Sequence, residues 1–410
     1  MRTFTTFGIL LASGVSALPG SNVGGAGLFE ALSGFAELQC RGVSGTKQAG
    51  VPRKKPEDDN CLALKSDLRI WASTASIRSR SLDENLANVC AAGVNIAGFD
   101  FGVGTDGSQN VTNVYPPLQA LGGPDGAGQM SHFVKDDKLN IFRLPVGWQY
   151  LTASNLGGTL NSANLQKYDQ LVQACLNTGA SCIIDVHNYA RWNGQIVGQG
   201  GPTNAQFVNL WTQLATKYKS QSKILFGVMN EPHDLNVPEW AATVQLVVTA
   251  IRNAGATSQM ILLPGSDYTS AEKFISNGSG PALLNVTNPD SSTTNLIFDV
   301  HKYLDSDNSG THTECVTDNI SNAFQPLATW LRTNNRQAIN TETGGGNTAS
   351  CAQYLCSQIA FVNANSDVYL GYVGWAAGSF SATYELNETP TGSGSNWQDT
   401  SLVKACIART

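Results

Sequence analysis

Short β-branched or apolar runs recur along this chain, at Val94 to Gly98, Leu139 to Leu144, Cys182 to Val186, Ile224 to Met229, Met260 to Leu263, Leu296 to Val300, Gln337 to Thr341 and Tyr369 to Val373. Segments with helical periodicity lie between them, among them Leu165 to Leu176, Ala205 to Tyr218, Trp240 to Ala254 and Phe324 to Leu331. A strand and then a helix, repeated roughly every 30 to 45 residues, predicts successive βα units closing into a (β/α)8 barrel. An open doubly wound sheet uses fewer strands and opens on a glycine-rich phosphate turn, and no such turn follows the first run. With 410 residues the chain exceeds the ~250 that one barrel commonly takes. Hydrophobic residues at 41% against 14% charged exclude a disordered chain.

The barrel is expected over residues 93–410. Residues 1–17 have the order of an export signal: Arg2, the apolar stretch Phe7 to Leu11, and the small residues Val15-Ser16-Ala17. Residues 18–92 have no sustained period and no assignable fold, and are expected to be a disordered segment or pro-region. No later stretch has the roughly 18 to 20 uninterrupted apolar residues of a membrane span. The net charge of -6, with Arg53-Lys54-Lys55 as the one basic run, gives no surface for nucleic acid.

The nine cysteines fit an oxidising compartment. None forms a CxxC pattern, and no His/Asp/Glu cluster has the spacing of metal ligands, so no metal or cofactor is expected. Cys175 and Cys182 can close a short loop, while Cys315, Cys351, Cys356 and Cys406 can pair among themselves. The odd total leaves at least one thiol over, expected among Cys40, Cys61 and Cys90. Asn110, Asn277, Asn285, Asn319 and Asn387 head Asn-x-Ser/Thr triplets, the acceptor sequence for glycans in a secreted protein.

Catalytic groups of such barrels sit at the C-terminal ends of strands. Six of the runs end in chemistry: Arg143-Leu144-Pro145, Asp185-Val186-His187-Asn188, Asn230-Glu231-Pro232, His301-Lys302-Tyr303, Thr341-Glu342-Thr343-Gly344 and Trp375. Two of these groups, Glu231 and Glu342, are carboxylates on opposite sides of the mouth. Glycosidic cleavage needs one protonated acid at the leaving oxygen and one carboxylate facing the anomeric carbon. A surface salt bridge suits an isolated glutamate on a helix better than one that follows an apolar strand.

These motifs resemble glycoside hydrolase family 5. The wording "GVNIAGFDFG", "IFRLPVGWQYL", "NYARWNG", "NEPHD", "FDVHKYLDSDNSGTH" and "YLGYVGWAAGSF" resembles the fungal endo-β-1,4-glucanases within it. The resemblance covers about residues 93–410 and implies a secreted, monomeric, retaining enzyme whose partner is β-1,4-glucan. It implies Glu231 as acid/base and Glu342 as nucleophile, with Arg143 and Tyr303 flanking the latter. Asn230 would hold the sugar 2-hydroxyl, His187 and His301 would line the cleavage subsite, and Trp375 would form its floor. It also pairs Cys315 with Cys351 and Cys356 with Cys406. Trp148 and Trp192, which follow strand ends two and three, are expected to stack on glucose rings. Trp211, Trp240 and Trp330 fall in helices and should pack.

The chain departs from the family pattern in three places. No cellulose-binding module or Ser/Thr/Pro-rich linker is legible in residues 18–92. A cysteine pair after the first strand is replaced by Val103 and a residue near Gln109, which predicts a looser first loop. Asn340, on the same side of its strand as Glu342 by simple alternation, would point into the barrel, where an unpartnered amide costs about 1 to 3 kcal/mol. Two other readings are weighed: a mannan- or xyloglucan-cleaving barrel with the same chemistry, and a carbohydrate-binding barrel without catalysis. The presence of both glutamates argues against the latter.

Overall fold

In a computed structural model of the protein, residues 90–409 are described. The signal pattern, Cys40, Cys61, the basic run and nearly all of residues 18–92 lie outside them. Each of the eight apolar runs becomes a parallel strand: β1 Ala91–Ala97, β2 Ile141–Val146, β3 Ser181–Val186, β4 Ile224–Gly227, β5 Ile261–Pro264, β6 Leu296–His301, β7 Ala338–Thr343 and β8 Tyr369–Gly378. Each strand pairs with its sequence neighbours, and β1 pairs with β8 to close the barrel. β1 begins at Ala91, two residues before the expected boundary.

The helices are α1 Gly126–Lys135, α2 Trp148–Thr152, α3 Ser162–Asn177, α4 Asn204–Tyr218, α5 Val237–Asn253, α6 Ser279–Leu283, α7 Gln325–Thr333 and α8 Ala349–Ala364. Their starts are written in the sequence. Thr203 and Gln206 form a reciprocal capping box at α4. The side chains of Asn161, Asn236 and Thr348 each accept a bond from a first-turn N–H of α3, α5 and α8. Trp211 and Trp240 are buried between helices and strands, and donate to Val228 O at 3.1 Å and Pro264 O at 2.8 Å. Trp330 packs against the same core.

Strand alternation splits the core in two. A large cluster between barrel and helices includes Phe142, Leu144, Ile184, Phe226, Phe298 and Ala338. A small cluster inside the barrel comprises Ala91, Ile141, Ile183, Leu225, Leu262, Ile297, Ile339 and Val373. This division corrects the expectation for Asn340. Ile339 faces inward, so Asn340 alternates to the helix-facing side with Ala338. The pairing of β6 with β7 shifts register between Val300 and His301, and this irregularity brings Glu342 back to the mouth. Simple period-two counting misses such a shift. Asn340 is buried, and its amide is satisfied in the orientation that turns the nitrogen toward Val300 O at 2.9 Å and Glu342 O at 2.8 Å.

The first loop is also better fastened than expected. Val103 and Gln109 form a β-bridge, and the Gln109 amide accepts from Tyr150 N at 3.0 Å while donating to Phe99 O at 3.3 Å. The disulfides Cys175–Cys182, Cys315–Cys351 and Cys356–Cys406 all form, and Cys90 is the free thiol among the described residues. Two glycan-acceptor expectations are corrected. Asn319 and Asn387 are buried, and the Asn319 amide that a glycan would modify donates to Tyr303 O at 2.9 Å. Among the described residues no helix is long and apolar enough to cross a membrane.

Candidate active site

Near the C-terminal strand ends, Asn95, Arg143, Asp185, Asp299, His301, Thr341 and Glu342 are all buried. So many polar side chains in one dry mouth must satisfy one another, because each unpaired group carries a desolvation cost. Arg143 is the hub. Its Nη1 donates to Glu342 Oε1 at 2.5 Å and to Asn95 Oδ1 at 2.9 Å, and its Nη2 donates to Asn230 Oδ1 at 2.6 Å. Nη2 also lies 3.1 Å from Asp185 Oδ2. Asn95 in turn donates to Thr341 O and Gly374 O, tying β1 to β7 and β8. Tyr303 donates to the other oxygen of Glu342 at 2.7 Å.

His301 stands between the two glutamates. Its Nδ1 is 2.8 Å from Glu231 Oε1 and 3.5 Å from Glu342 Oε2. Its Nε2 is 2.9 Å from Thr341 Oγ1, and the Thr341 hydroxyl donates to Asp299. With that hydroxyl proton committed to Asp299, Thr341 accepts from Nε2, and both ring nitrogens act as donors. A Glu231 oxygen, a Glu342 oxygen and a His301 nitrogen lie within 4.8 Å of one another. Glu231 sits after β4 at φ +42°, a left-handed backbone that costs a non-glycine residue about 1 to 3 kcal/mol and is found where geometry is imposed for function. Its neighbour Asn230 is buried, with Nδ2 unpartnered among the described residues.

The charges follow from this geometry. Burial alone would raise the Glu342 carboxyl, but positive His301, Arg143 and His187 and the Tyr303 hydroxyl outweigh it and hold the group below its usual range. Burial works against a charged His301, and Glu342, then Glu231, override it and raise its pKa. Burial, followed by the Glu342 charge, pushes Tyr303 well up, so its hydroxyl keeps the proton it donates.

On the other flank the Trp375 indole stacks on His187 at 5.3 Å and 13°, and donates to Tyr384 Oη at 3.0 Å. His187 Nδ1 is 2.8 Å from Asp185 Oδ2, which fixes the ring. Asp100, Phe101, His187, Tyr189, Trp375 and Phe380 line a cleft of about 400 Å³.

A family model described as cellulase (glycosyl hydrolase family 5) matches residues 94–380. The chain belongs to that family. It is 70% identical over 322 residues to endoglucanase EG-II of Hypocrea jecorina, covering 78% of this chain and 77% of that protein. It is 51% identical over 314 residues to the manganese dependent endoglucanase Eg5A of Phanerodontia chrysosporium, covering 75% of this chain and 78% of that one. The crystal structure of Cel5A (EG2) from Hypocrea jecorina superimposes with a TM-score of 0.78 at 70% identity, over 78% of this chain and 99% of that one.

Of the residues expected at this family 5 site, Glu231, Glu342, Arg143, Asn230, His301 and Tyr303 meet in one hydrogen-bonded group, and His187 and Trp375 form its neighbouring wall. Trp148 does not belong to the surface of the cleft. It is wholly buried in α2, packed against Phe207 at 5.4 Å and edge-on to Trp192 at 5.3 Å. The β2 end turns directly into a helix there, so the indole points into the core. Trp192, partly exposed on the hairpin of Arg191–Trp192 with Gln195–Ile196, remains reachable, with Trp148 beneath it. Asn95, Asp299 and Tyr384 were not singled out from the sequence. Asn95 and Asp299 interrupt otherwise apolar strands, which was a legible signal. Nothing local marks Tyr384.

Proposed function

We propose that this enzyme cleaves internal β-1,4-glucosidic bonds of cellulose and related β-glucans with retention, Glu342 being the nucleophile and Glu231 the acid/base. The separation of the carboxylates carries this reading. One oxygen of each carboxylate lies within 4.8 Å of the other, a closeness that suits direct attack, for which the two groups stand roughly 5 to 5.5 Å apart. In the first step Glu342 bonds to the anomeric carbon as Glu231 gives its proton to the departing oxygen. In the second, Glu231 takes a proton from water, which displaces Glu342.

The surrounding groups suit these roles. Arg143 and Tyr303 keep Glu342 ionised and aimed, and the free Asn230 Nδ2 is a donor for the sugar 2-hydroxyl. Trp375 offers an apolar floor, and Trp192 a stacking face further along. The export pattern and three disulfides support action outside the cell.

The acid/base role predicts a leaving-group effect. Glu231→Gln should cripple hydrolysis of natural glucan yet spare the first step on aryl glycosides with good leaving groups, which need no acid. Equal loss on both substrate types would refute the role. Reducing-end release from carboxymethyl cellulose, β-glucan, mannan and xylan decides the sugar. Deleting residues 18–92 should leave turnover on the soluble glucan nearly unchanged, and a sharp drop in adsorption to crystalline cellulose would mark that segment as a binding element.

A further inference from the structure

A second charged cluster lies outside the barrel mouth, where α1 meets the C-terminal segment. His132 of α1 is buried between three aspartates. Its Nδ1 is 2.7 Å from Asp136 Oδ2, and its Nε2 is 2.7 Å from Asp399 Oδ1 and 3.5 Å from Asp137 Oδ2. Three carboxylates around one imidazole leave the group net negative even with the histidine protonated. Asp137 is 4% exposed, and its Oδ2 has no hydrogen-bond partner among the described residues although it faces the other two ligand atoms. A buried carboxylate oxygen left without a donor is a costly feature, and a cation is the partner that would remove the cost.

We infer that His132 Nε2, Asp137 Oδ2 and Asp399 Oδ1 form a binding site for a divalent transition-metal ion that joins α1 to the C-terminal segment. These atoms lie within 4.8 Å of one another. Metal–ligand bonds of about 2.0 to 2.2 Å in tetrahedral array set ligands roughly 3.3 Å apart. His132 Nε2 and Asp137 Oδ2, 3.5 Å apart, already have that spacing, and the 2.7 Å contact between His132 Nε2 and Asp399 Oδ1 has to open by about 0.6 Å. Asp136 supplies the supporting bond: a carboxylate on Nδ1–H fixes the tautomer that presents the Nε2 lone pair to a metal. The imidazole nitrogen favours Zn2+ over the oxygen-seeking Ca2+ and Mg2+, and the two carboxylates make Mn2+ a usable paramagnetic probe of the same site.

The placement gives the ion a structural task. Asp399 follows the hairpin of Thr391–Ser393 and Asn396–Gln398, Trp397 stacks near His132 at 6.0 Å, and Arg409 N donates to Asp137 O at 2.9 Å. The cluster Asp305, Asp307 and His312 is different in kind, because Asp305 is already met by the N–H groups of Gly310, Thr311 and His312.

The test is calorimetric titration of ZnCl2 and MnCl2 into the EDTA-treated full-length enzyme, with thermal melts beside it. One ion per chain is expected, with Tm rising by about 3 °C or more at a hundredfold excess over Kd. Asp137→Asn and Asp399→Asn should each abolish saturable binding, and Asp136→Asn should weaken it roughly 10- to 100-fold. Carboxymethyl cellulose hydrolysis should persist in all three. Pulsed electron paramagnetic resonance of the Mn2+-loaded wild-type protein should show coupling to one imidazole nitrogen, a readout that needs no variant. No saturable binding of either ion, no nitrogen coupling, or unchanged binding in Asp137→Asn and Asp399→Asn overturns the site.

Discussion

The inside of the barrel has two layers built on the same strands. At the bottom, Ile141, Ile183, Leu225, Leu262, Ile297, Ile339 and Val373 meet as hydrocarbon. A step higher along those strands, Arg143, Asp185, Asp299 and Thr341 meet as charge and hydrogen bonds. Both layers are dry, but they tolerate dryness for different reasons. The lower one gains from the loss of water. The upper one survives it because its charges meet partners: Arg143 reaches Asn95, Asn230, Asp185 and Glu342, Thr341 donates to Asp299, and His301 faces Glu231. Removing a group below should therefore cost stability, while removing one above should cost chemistry first.

Glu342→Gln gives the sharpest test of that division. The amide keeps the shape and can still accept from Tyr303, so the fold should persist. Turnover should fall about 10⁴-fold or more on glucan and aryl glycosides alike, since the nucleophile is gone. Turnover within tenfold of wild type would break the assignment of the upper layer.

Ile339→Ala probes the layer beneath on the same strand. It should destabilise the protein by about 2 to 5 kcal/mol, read by denaturant unfolding, with kcat of the folded enzyme nearly unchanged. A larger loss in kcat than in stability would show that the layers are coupled.

Arg143→Lys asks whether the upper layer works by charge or by its fork of donors. Glu342 lies below its usual range in the fold, so its interactions stabilise fully above the unfolded carboxylate range and are lost as pH falls through the folded value. A lysine cannot reach all the same acceptors, so the hold weakens. The acid limb of the kcat/KM profile should then move to higher pH by about half to one pH unit. An unmoved limb would assign the lowering of Glu342 to His301, His187 and Tyr303 without Arg143.

The smallest effect is expected at Trp148, which belongs energetically with the lower layer though its sequence position suggested the upper. Trp148→Phe should lower Tm by a few degrees and leave KM for cello-oligosaccharides within about twofold, whereas Trp192→Ala should raise KM. A KM rise in Trp148→Phe would restore the indole to the substrate surface.

Much of this was legible in the chain alone. Hydrophobic period and capping residues are local signals, so eight strands and the helices between them could be placed without a fold, and the barrel rule then put Glu231, Glu342, Arg143 and His301 on one rim. Counting by twos worked while the strands were regular and failed at Asn340, where the β6–β7 register shifts. Reading strand ends worked where a loop followed and failed at Trp148, where a helix followed.

What the sequence by itself determined is which groups stand at the strand ends, because strand order and direction are properties of neighbours along the chain. The tertiary structure alone decided how those groups are satisfied: that His301 serves both glutamates, that Asn95 braces Arg143 from a strand 48 positions away, and that His132 meets Asp399 across 267 positions. Hydrogen bonds and charges act through space over a few ångströms, and only the closed barrel sets which distant residues fall within that reach.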